Sequence, residues 1–127
     1  MNVVEVNVLV LAYLGDVIYE SYVRHFLVES GISNVESLQK NSVSYVSAKA
    51  QASFLQELSN ADFFTEEELA VIRRARNYKS NRHPKNCDIV TYKHATGLEA
   101  LLGYLDLMGD QDRIKCIMKT ILGGKVC

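Results

Sequence analysis

The scarcity of backbone breakers is the feature of this chain that most limits its fold. One proline, Pro84, and seven glycines occur in 127 residues. No segment alternates apolar and polar residues with the period of two that a half-buried strand requires. The sequence therefore predicts an all-helical fold, and this length predicts one domain over residues 1–127 with a self-sufficient core.

Helical periodicity and capping residues predict six helices. Gly31 is well placed to end the first helix in a left-handed conformation. Thr65 and Glu68 have the spacing of a capping box, in which each side chain satisfies the other's backbone N–H at the start of a helix. We predict helices over about 7–29, 35–40, 44–58, 65–78, 91–108 and 110–122, with a loop over about 79–86.

The chain shows no sign of export or membrane insertion. Its longest apolar run, residues 8–14, is far shorter than the roughly 18 residues needed to cross a bilayer, and Glu5 stands where a signal peptide would carry a positive charge. Cys87, Cys116 and Cys127 form no C-x-x-C pair and no zinc-like spacing. We expect a cytoplasmic protein with three free thiols and no membrane partner.

Two carboxylates occur in apolar helical contexts. Asp16 follows the seven-residue apolar run 8–14 and Gly15, and it precedes Val17 and Ile18. On a helix its carboxylate should therefore lie next to surfaces that are buried nearly all round. Glu99 lies between Gly97 and Gly103, where small residues allow another helix to approach. Since a buried carboxylate requires a cation or strong hydrogen bonds, the pair has the chemistry of a magnesium site.

An alternative without catalysis stays open from the residues alone, because a core arginine or a helix end could neutralise each carboxylate. The motifs that other metal sites and other catalytic mechanisms require are absent from the sequence. None of the three histidines has a glutamate three residues before it, as a ferritin-like di-iron site requires, and neither a phosphate-binding G-x-x-x-x-G-K-[ST] loop nor a G-x-S-x-G elbow is present.

The net charge of −1 conceals a basic stretch, which we define as residues 73–93. This stretch sums to +6 (seven basic residues less one acid), so the rest of the chain sums to −7. Cations at a helix end can simply be solvated, but this density also suits phosphate contacts. Combined with the carboxylates, it favours a metal-dependent nuclease. The basic residues are Arg73, Arg74, Arg76, Lys79, Arg82, Lys85 and Lys93.

An ordered series of motifs resembles the ribonuclease III catalytic domain, and most closely the Mini-ribonuclease III family, which consists of that domain alone. The signature helix corresponds to Leu11-Ala12-Tyr13-Leu14-Gly15-Asp16-Val17-Ile18-Tyr19-Glu20. Further matches occur over residues 46–52, 63–68, 73–80, 84–86 and 95–105, so the resemblance runs in order over nearly the whole chain.

The resemblance implies a homodimeric helical bundle that cleaves double-stranded RNA with Mg²⁺ and leaves 5′-phosphate and 3′-hydroxyl ends. It implies that Asp16 and Glu99 are the catalytic, metal-binding carboxylates and that Tyr13 lies at the dimer interface. It also implies maturation of the 23S ribosomal RNA precursor, with a ribosomal protein as a possible further partner. RNA contacts are assigned to Arg73, Arg74, Arg76, Lys79, Arg82 and Lys85.

Two departures from full-length ribonuclease III affect these expectations. Ala12 and Thr96 stand where that enzyme has two further carboxylates. Mini-ribonuclease III also lacks these carboxylates, which implies a metal shell with more water ligands. No separate RNA-binding domain is expected, so the basic stretch must supply RNA affinity. The alternative function is a catalytically weak module for double-stranded RNA or ribosome assembly. DNA binding fits less well, because the basic residues cluster in a loop.

Overall fold

A computed structural model describes residues 1–79, 83–123 and 127, and within these ranges the chain is helical with no strand. This confirms the predicted all-α fold. A short 3₁₀ helix over Val3–Glu5 precedes six α-helices: α1 (Val8–Glu29), α2 (Val35–Val46), α3 (Ala48–Asn60), α4 (Glu66–Arg76), α5 (Ile89–Leu107) and α6 (Gln111–Ile121).

Helices α1 and α5 form the centre of the bundle and pack more extensively than any other described pair. A Cβ atom added to Gly15 would overlap the carbonyl oxygen of Glu99, and one added to Gly103 would overlap that of Leu11. The glycines therefore let the two helices touch backbone to backbone. Helices α3 and α4 pack against α5 around this contact.

Capping residues fix several helix ends, among them the predicted Thr65–Glu68 box and Gly31. The side-chain oxygen of Asn7 accepts a hydrogen bond from the backbone N–H of Leu9 at 2.8 Å. Thr65 and Glu68 form the full capping box, with bonds of 3.1 and 2.9 Å. Gly31 has a φ of +96°, the left-handed conformation proposed for it.

Several helix boundaries were predicted wrongly. The helix predicted over 35–40 continues to Val46 and ends only at Ser47. The predicted helix over 44–58 is divided at Ser47, whose extended backbone ends α2 and whose hydroxyl accepts from the N–H of Ala50 to start α3. Helix α5 begins at Ile89 rather than near Thr91, because the Asp88 carboxylate accepts from the Thr91 N–H at 2.9 Å.

A buried ion pair ties α4 to α6. Arg113 donates from Nε to Glu68 Oε2 at 2.7 Å and from a second nitrogen to the carbonyl of Phe63 at 2.9 Å. Its guanidinium also lies over the Phe63 ring, 4.5 Å from the ring centroid. We call these three residues the Glu68 cluster. In this cluster the Glu68 carboxylate, which is only 4% exposed, accepts hydrogen bonds from the Arg113 guanidinium and from the backbone N–H of Thr65.

The prediction of three free thiols is wrong for two of the cysteines. Cys116 and Cys127 form a disulfide with their Cα atoms 5.6 Å apart, while Cys87 is a free thiol. Their separation of 11 residues gave no sign of pairing, because the contact depends on the chain end returning to α6. None of the described helices has the length and apolar character needed to span a bilayer.

Candidate active site

Asp16 and Glu99 meet where α1 crosses α5. Gly15, the residue before Asp16, is the one in backbone contact with Glu99. The crossing therefore brings the two carboxyl groups within hydrogen-bonding range of each other. Two residues that are 83 positions apart in the sequence thus share one site.

The site holds an uncompensated negative charge. Burial raises the pKa of Glu99 to about 8, and the hydrogen bond and negative charge of Asp16 act in the same direction. The Gln51 side chain opposes this shift by hydrogen bonding to the ionised form. Near neutral pH and without a cation, Glu99 therefore favours its protonated form, because an ionised Glu99 would be partly desolvated beside the Asp16 carboxyl group.

The expectation that Asp16 is surrounded by buried surfaces is wrong. Asp16 is exposed, as are its α1 neighbours Tyr13 and Val17, whose exposed fractions are 81% and 64%. The apolar run before Asp16 covers the outer face of α1 as well as its inner face. Glu99 is half-buried. The pair therefore has one carboxylate anchored in the bundle and one open to solvent.

Two residues near Glu99 were missed by the sequence analysis. Gln51, on α3, is 3% exposed and donates from Nε2 to Glu99 Oε2 at 3.5 Å. Tyr19 is fully buried; its hydroxyl donates to the carbonyl of Tyr45 at 2.6 Å, and burial together with the charge of Glu99 raises its pKa. The spacing of Gln51 with Leu55 and Leu58, which places all three on the buried face of α3, was an available signal.

The donor set suits a hard divalent cation with few protein ligands. Asp16 and Glu99 offer carboxylate oxygens, the ligands that Mg²⁺ prefers, and Mg²⁺ commonly binds one or two carboxylates and keeps several waters. Among the described residues no group of three or more His, Cys, Asp or Glu side chains converges to hold a metal. The exposure of Asp16 leaves room for water and substrate oxygens to complete the coordination.

The predicted RNA-binding residues fall into three groups. Arg73 and Arg76 are exposed and line one cavity of about 230 Å³ between α3, α4 and α5, together with His94. Lys79 and Lys85 are exposed in the segment after α4, and Arg82 lies outside the described residues. Arg74 donates to the carbonyl of Val6 at 2.9 Å, a contact within the fold.

The outer face of α1 carries an apolar strip beside Asp16. Val10, Tyr13 and Val17, which share one side of the helix, are 56%, 81% and 64% exposed. Glu20, whose role the sequence left open, lies on the same face and forms an ion pair with Arg24 at 3.1 Å. Tyr13, the predicted interface residue, is thus at the centre of the strip.

Comparison with known proteins agrees with this geometry. The chain matches the family description "Ribonuclease III domain" over residues 9–110. It is 44% identical over 121 residues to Mini-ribonuclease 3 of Enterococcus faecalis, covering 91% of this chain and 92% of that relative. It is 48% identical over 113 residues to Mini-ribonuclease 3 of Brevibacillus brevis, covering 89% and 83%.

A solved structure shows the same fold. The crystal structure of a protein from Fusobacterium nucleatum superposes with a TM-score of 0.84 at 32% sequence identity and covers 94% of this chain and 96% of that one. The helical bundle, the carboxylates at the α1–α5 crossing and these similarities agree. The chain belongs to the ribonuclease III domain family.

Proposed function

We propose that this chain acts as a homodimeric, magnesium-dependent endoribonuclease that cleaves double-stranded RNA, with residues 1–127 forming one catalytic domain. Endoribonuclease activity follows from its family. The metal, the duplex substrate, the dimer and the residue roles are the proposal. The observation that carries it is the contact between the Asp16 and Glu99 carboxyl groups, in which the pKa of Glu99 is raised to about 8.

A divalent cation would resolve the repulsion within this pair. Asp16 and Glu99 would hold it between α1 and α5, with the anchored Glu99 fixing its position and the exposed Asp16 facing the substrate. A bound Mg²⁺ supplies charge stabilisation at the phosphate and a lowered pKa for an attacking water. Addition of water to phosphorus with cleavage of the P–O3′ bond then gives 5′-phosphate and 3′-hydroxyl ends.

The basic stretch would hold the RNA backbone. Arg73, Arg76, Lys79 and Lys85 are exposed and can pair with phosphate oxygens. Their sequence-independent contacts suit an enzyme that recognises the shape of a duplex. Arg74 we assign to holding Val6 of the N-terminal segment, because its guanidinium already donates to that carbonyl.

The apolar strip on α1 supports the dimer. Val10, Tyr13 and Val17 present apolar surface to solvent directly beside Asp16, and a second copy would bury it. Dimerisation through this face would bring two carboxylate pairs close together, one for each strand of a duplex. The resemblance to Mini-ribonuclease III extends the proposal to a stem of the 23S ribosomal RNA precursor in the cytoplasm, with a ribosomal protein as a further partner.

The test is Asp16→Asn, which removes one charge and keeps the side-chain shape. We expect cleavage of a precursor stem in Mg²⁺ to fall by about 100-fold or more, since charge stabilisation at the reacting phosphate is lost. RNA affinity and the circular dichroism spectrum should change little. The matched control is Asp112→Asn on the exposed start of α6, which should cleave normally.

Two results would contradict the proposal. One is an Asp16→Asn variant that cleaves at the normal rate. The other is an unaltered chain that binds duplex RNA but cleaves it in no concentration of Mg²⁺, which would favour the binding or assembly module. A duplex DNA of the same sequence distinguishes RNA-specific contacts, because only RNA offers ribose 2′-hydroxyls.

A further inference from the structure

Gln51 differs from the other buried polar side chains of the described residues, which are Glu68 and Thr96. The Glu68 carboxylate accepts from the backbone N–H of Thr65 and from Arg113, and the Thr96 hydroxyl donates to the Tyr92 carbonyl one turn earlier. Those hydrogen bonds stabilise single helices or join α4 to α6. Gln51 instead donates to Glu99, a residue of the carboxylate pair.

The hydrogen bond from Gln51 adds a contact from a third helix to Glu99. Glu99 stands on α5, its backbone contacts Gly15 on α1, and its Oε2 accepts from Gln51 Nε2 on α3 at 3.5 Å. A glutamate side chain has three rotatable bonds, so a fixed backbone alone does not fix the carboxylate. The amide donor selects the orientation in which one carboxylate oxygen faces α3.

Burial makes this donor effective. Gln51 is 3% exposed on the face of α3 that also buries Leu55 and Leu58, so solvent competes little for its amide. A buried amide has a fixed direction, whereas a surface glutamine samples several rotamers. Hydrogen-bonded partners of metal-binding carboxylates generally orient those ligands.

We infer that Gln51 is a positioning residue, which orients the Glu99 carboxylate so that it and Asp16 can bind a divalent cation together. Gln51 acts through Glu99 and does not itself contact the substrate. The inference rests on the proposed function, since it assigns Gln51 a part in the metal site formed by Asp16 and Glu99.

Gln51→Met provides the test, because methionine has nearly the same length and volume but no N–H donor. Mn²⁺ binding to the protein without RNA is measured by the loss of the free-ion electron paramagnetic resonance signal. We expect affinity to fall about tenfold, within the range found when such orienting partners are removed. The Mg²⁺ concentration for half-maximal cleavage should rise by a similar factor, while KM for RNA at saturating Mg²⁺ stays unchanged.

Two further variants separate orientation from general damage. Gln39→Met makes the same change at an exposed position on α2 and should leave Mn²⁺ affinity unchanged. Gln51→Glu keeps the side-chain shape but places a third carboxylate beside Glu99. The thermal midpoint of unfolding without metal should therefore fall. The increase of this midpoint on adding Mn²⁺ should exceed the increase seen for the unaltered chain. A carboxylate at position 51 can enlarge this response only if residue 51 faces the Glu99 carboxylate at the metal site.

The outcomes separate the two proposals. If the unaltered chain binds Mn²⁺ and cleaves, while a folded Gln51→Met variant binds Mn²⁺ equally well, only the assignment of Gln51 is overturned. If Gln51→Met does not fold, the response of Gln51→Glu to Mn²⁺ decides, and an increase no larger than in the unaltered chain overturns the assignment. If the unaltered chain neither binds Mn²⁺ nor cleaves, both proposals are overturned.

Discussion

Glu68 and Glu99 lie in the same bundle in opposite surroundings. Glu68 is only 4% exposed, yet it has a guanidinium and a backbone N–H as partners. Glu99 is less buried but faces a second carboxylate, with one amide in support. The Glu68 cluster is complete in the protein alone, whereas the Asp16–Glu99 pair lacks a positive charge. Burial alone therefore does not distinguish the two carboxylates, whereas the charge of their neighbours does.

The largest stability effect should come from breaking the completed cluster. Glu68→Ala removes the partner of Arg113 and half of the capping box at Thr65. We expect the free energy of unfolding to fall by about 3 kcal/mol, the lower end for a broken buried pair, because Arg113 is partly exposed. Urea denaturation measures this loss. Glu99→Gln should cost much less, and an equal loss at both positions would contradict the comparison.

The pH dependence of stability should come from the incomplete pair. The pKa of Glu99 rises from 4.5 to about 8 on folding, so folding favours its protonated form. This contribution is complete below about pH 4.5 and is lost as the pH rises through 8.

In the absence of divalent cations, the free energy of unfolding should therefore fall between pH 5 and 8, by about 2 kcal/mol after discounting for partial exposure. Urea denaturation across this range provides the measurement. Glu99→Gln should remove most of the fall, because the amide does not titrate. A curve of unchanged slope in that variant would assign the pH dependence to other groups.

The smallest expected effect is on the salt dependence of RNA binding, and it should differ among the arginines of α4. Arg73 and Arg76 line a shared cavity, whereas Arg74 donates to the Val6 carbonyl. In the cleavage-deficient Asp16→Asn chain, the double change Arg73→Ala and Arg76→Ala should lower the slope of log Kd against log salt by about one for each phosphate that the protein no longer neutralises.

Arg74→Ala is the matched single change. It should leave the salt slope nearly unaltered and reduce the free energy of unfolding by about 1 kcal/mol, the contribution of one hydrogen bond. Fluorescence anisotropy of a labelled duplex over a salt series gives the slopes. A slope that falls as much for Arg74→Ala would place Arg74 on the RNA after all.

The sequence predicted the helices more reliably than the surroundings of the two carboxylates. Periodicity and caps, such as the Thr65 box, are local properties of the chain, so the fold class and most helix ends were accessible. The exposure of Asp16 was not, because an apolar run does not show which of its residues face outward on a helix. Gln51 was also missed, since its contact with Glu99 joins residues 48 positions apart.

The glycine at the α1–α5 crossing sets how closely the two carboxylates can approach. Any side chain at position 15 would overlap the backbone of Glu99. The distance between the two carboxylates therefore depends on how closely the backbones of α1 and α5 approach each other. A designer who grafted Asp16 and Glu99 onto another helical pair would not reproduce the site. The glycine is the part that must be copied first.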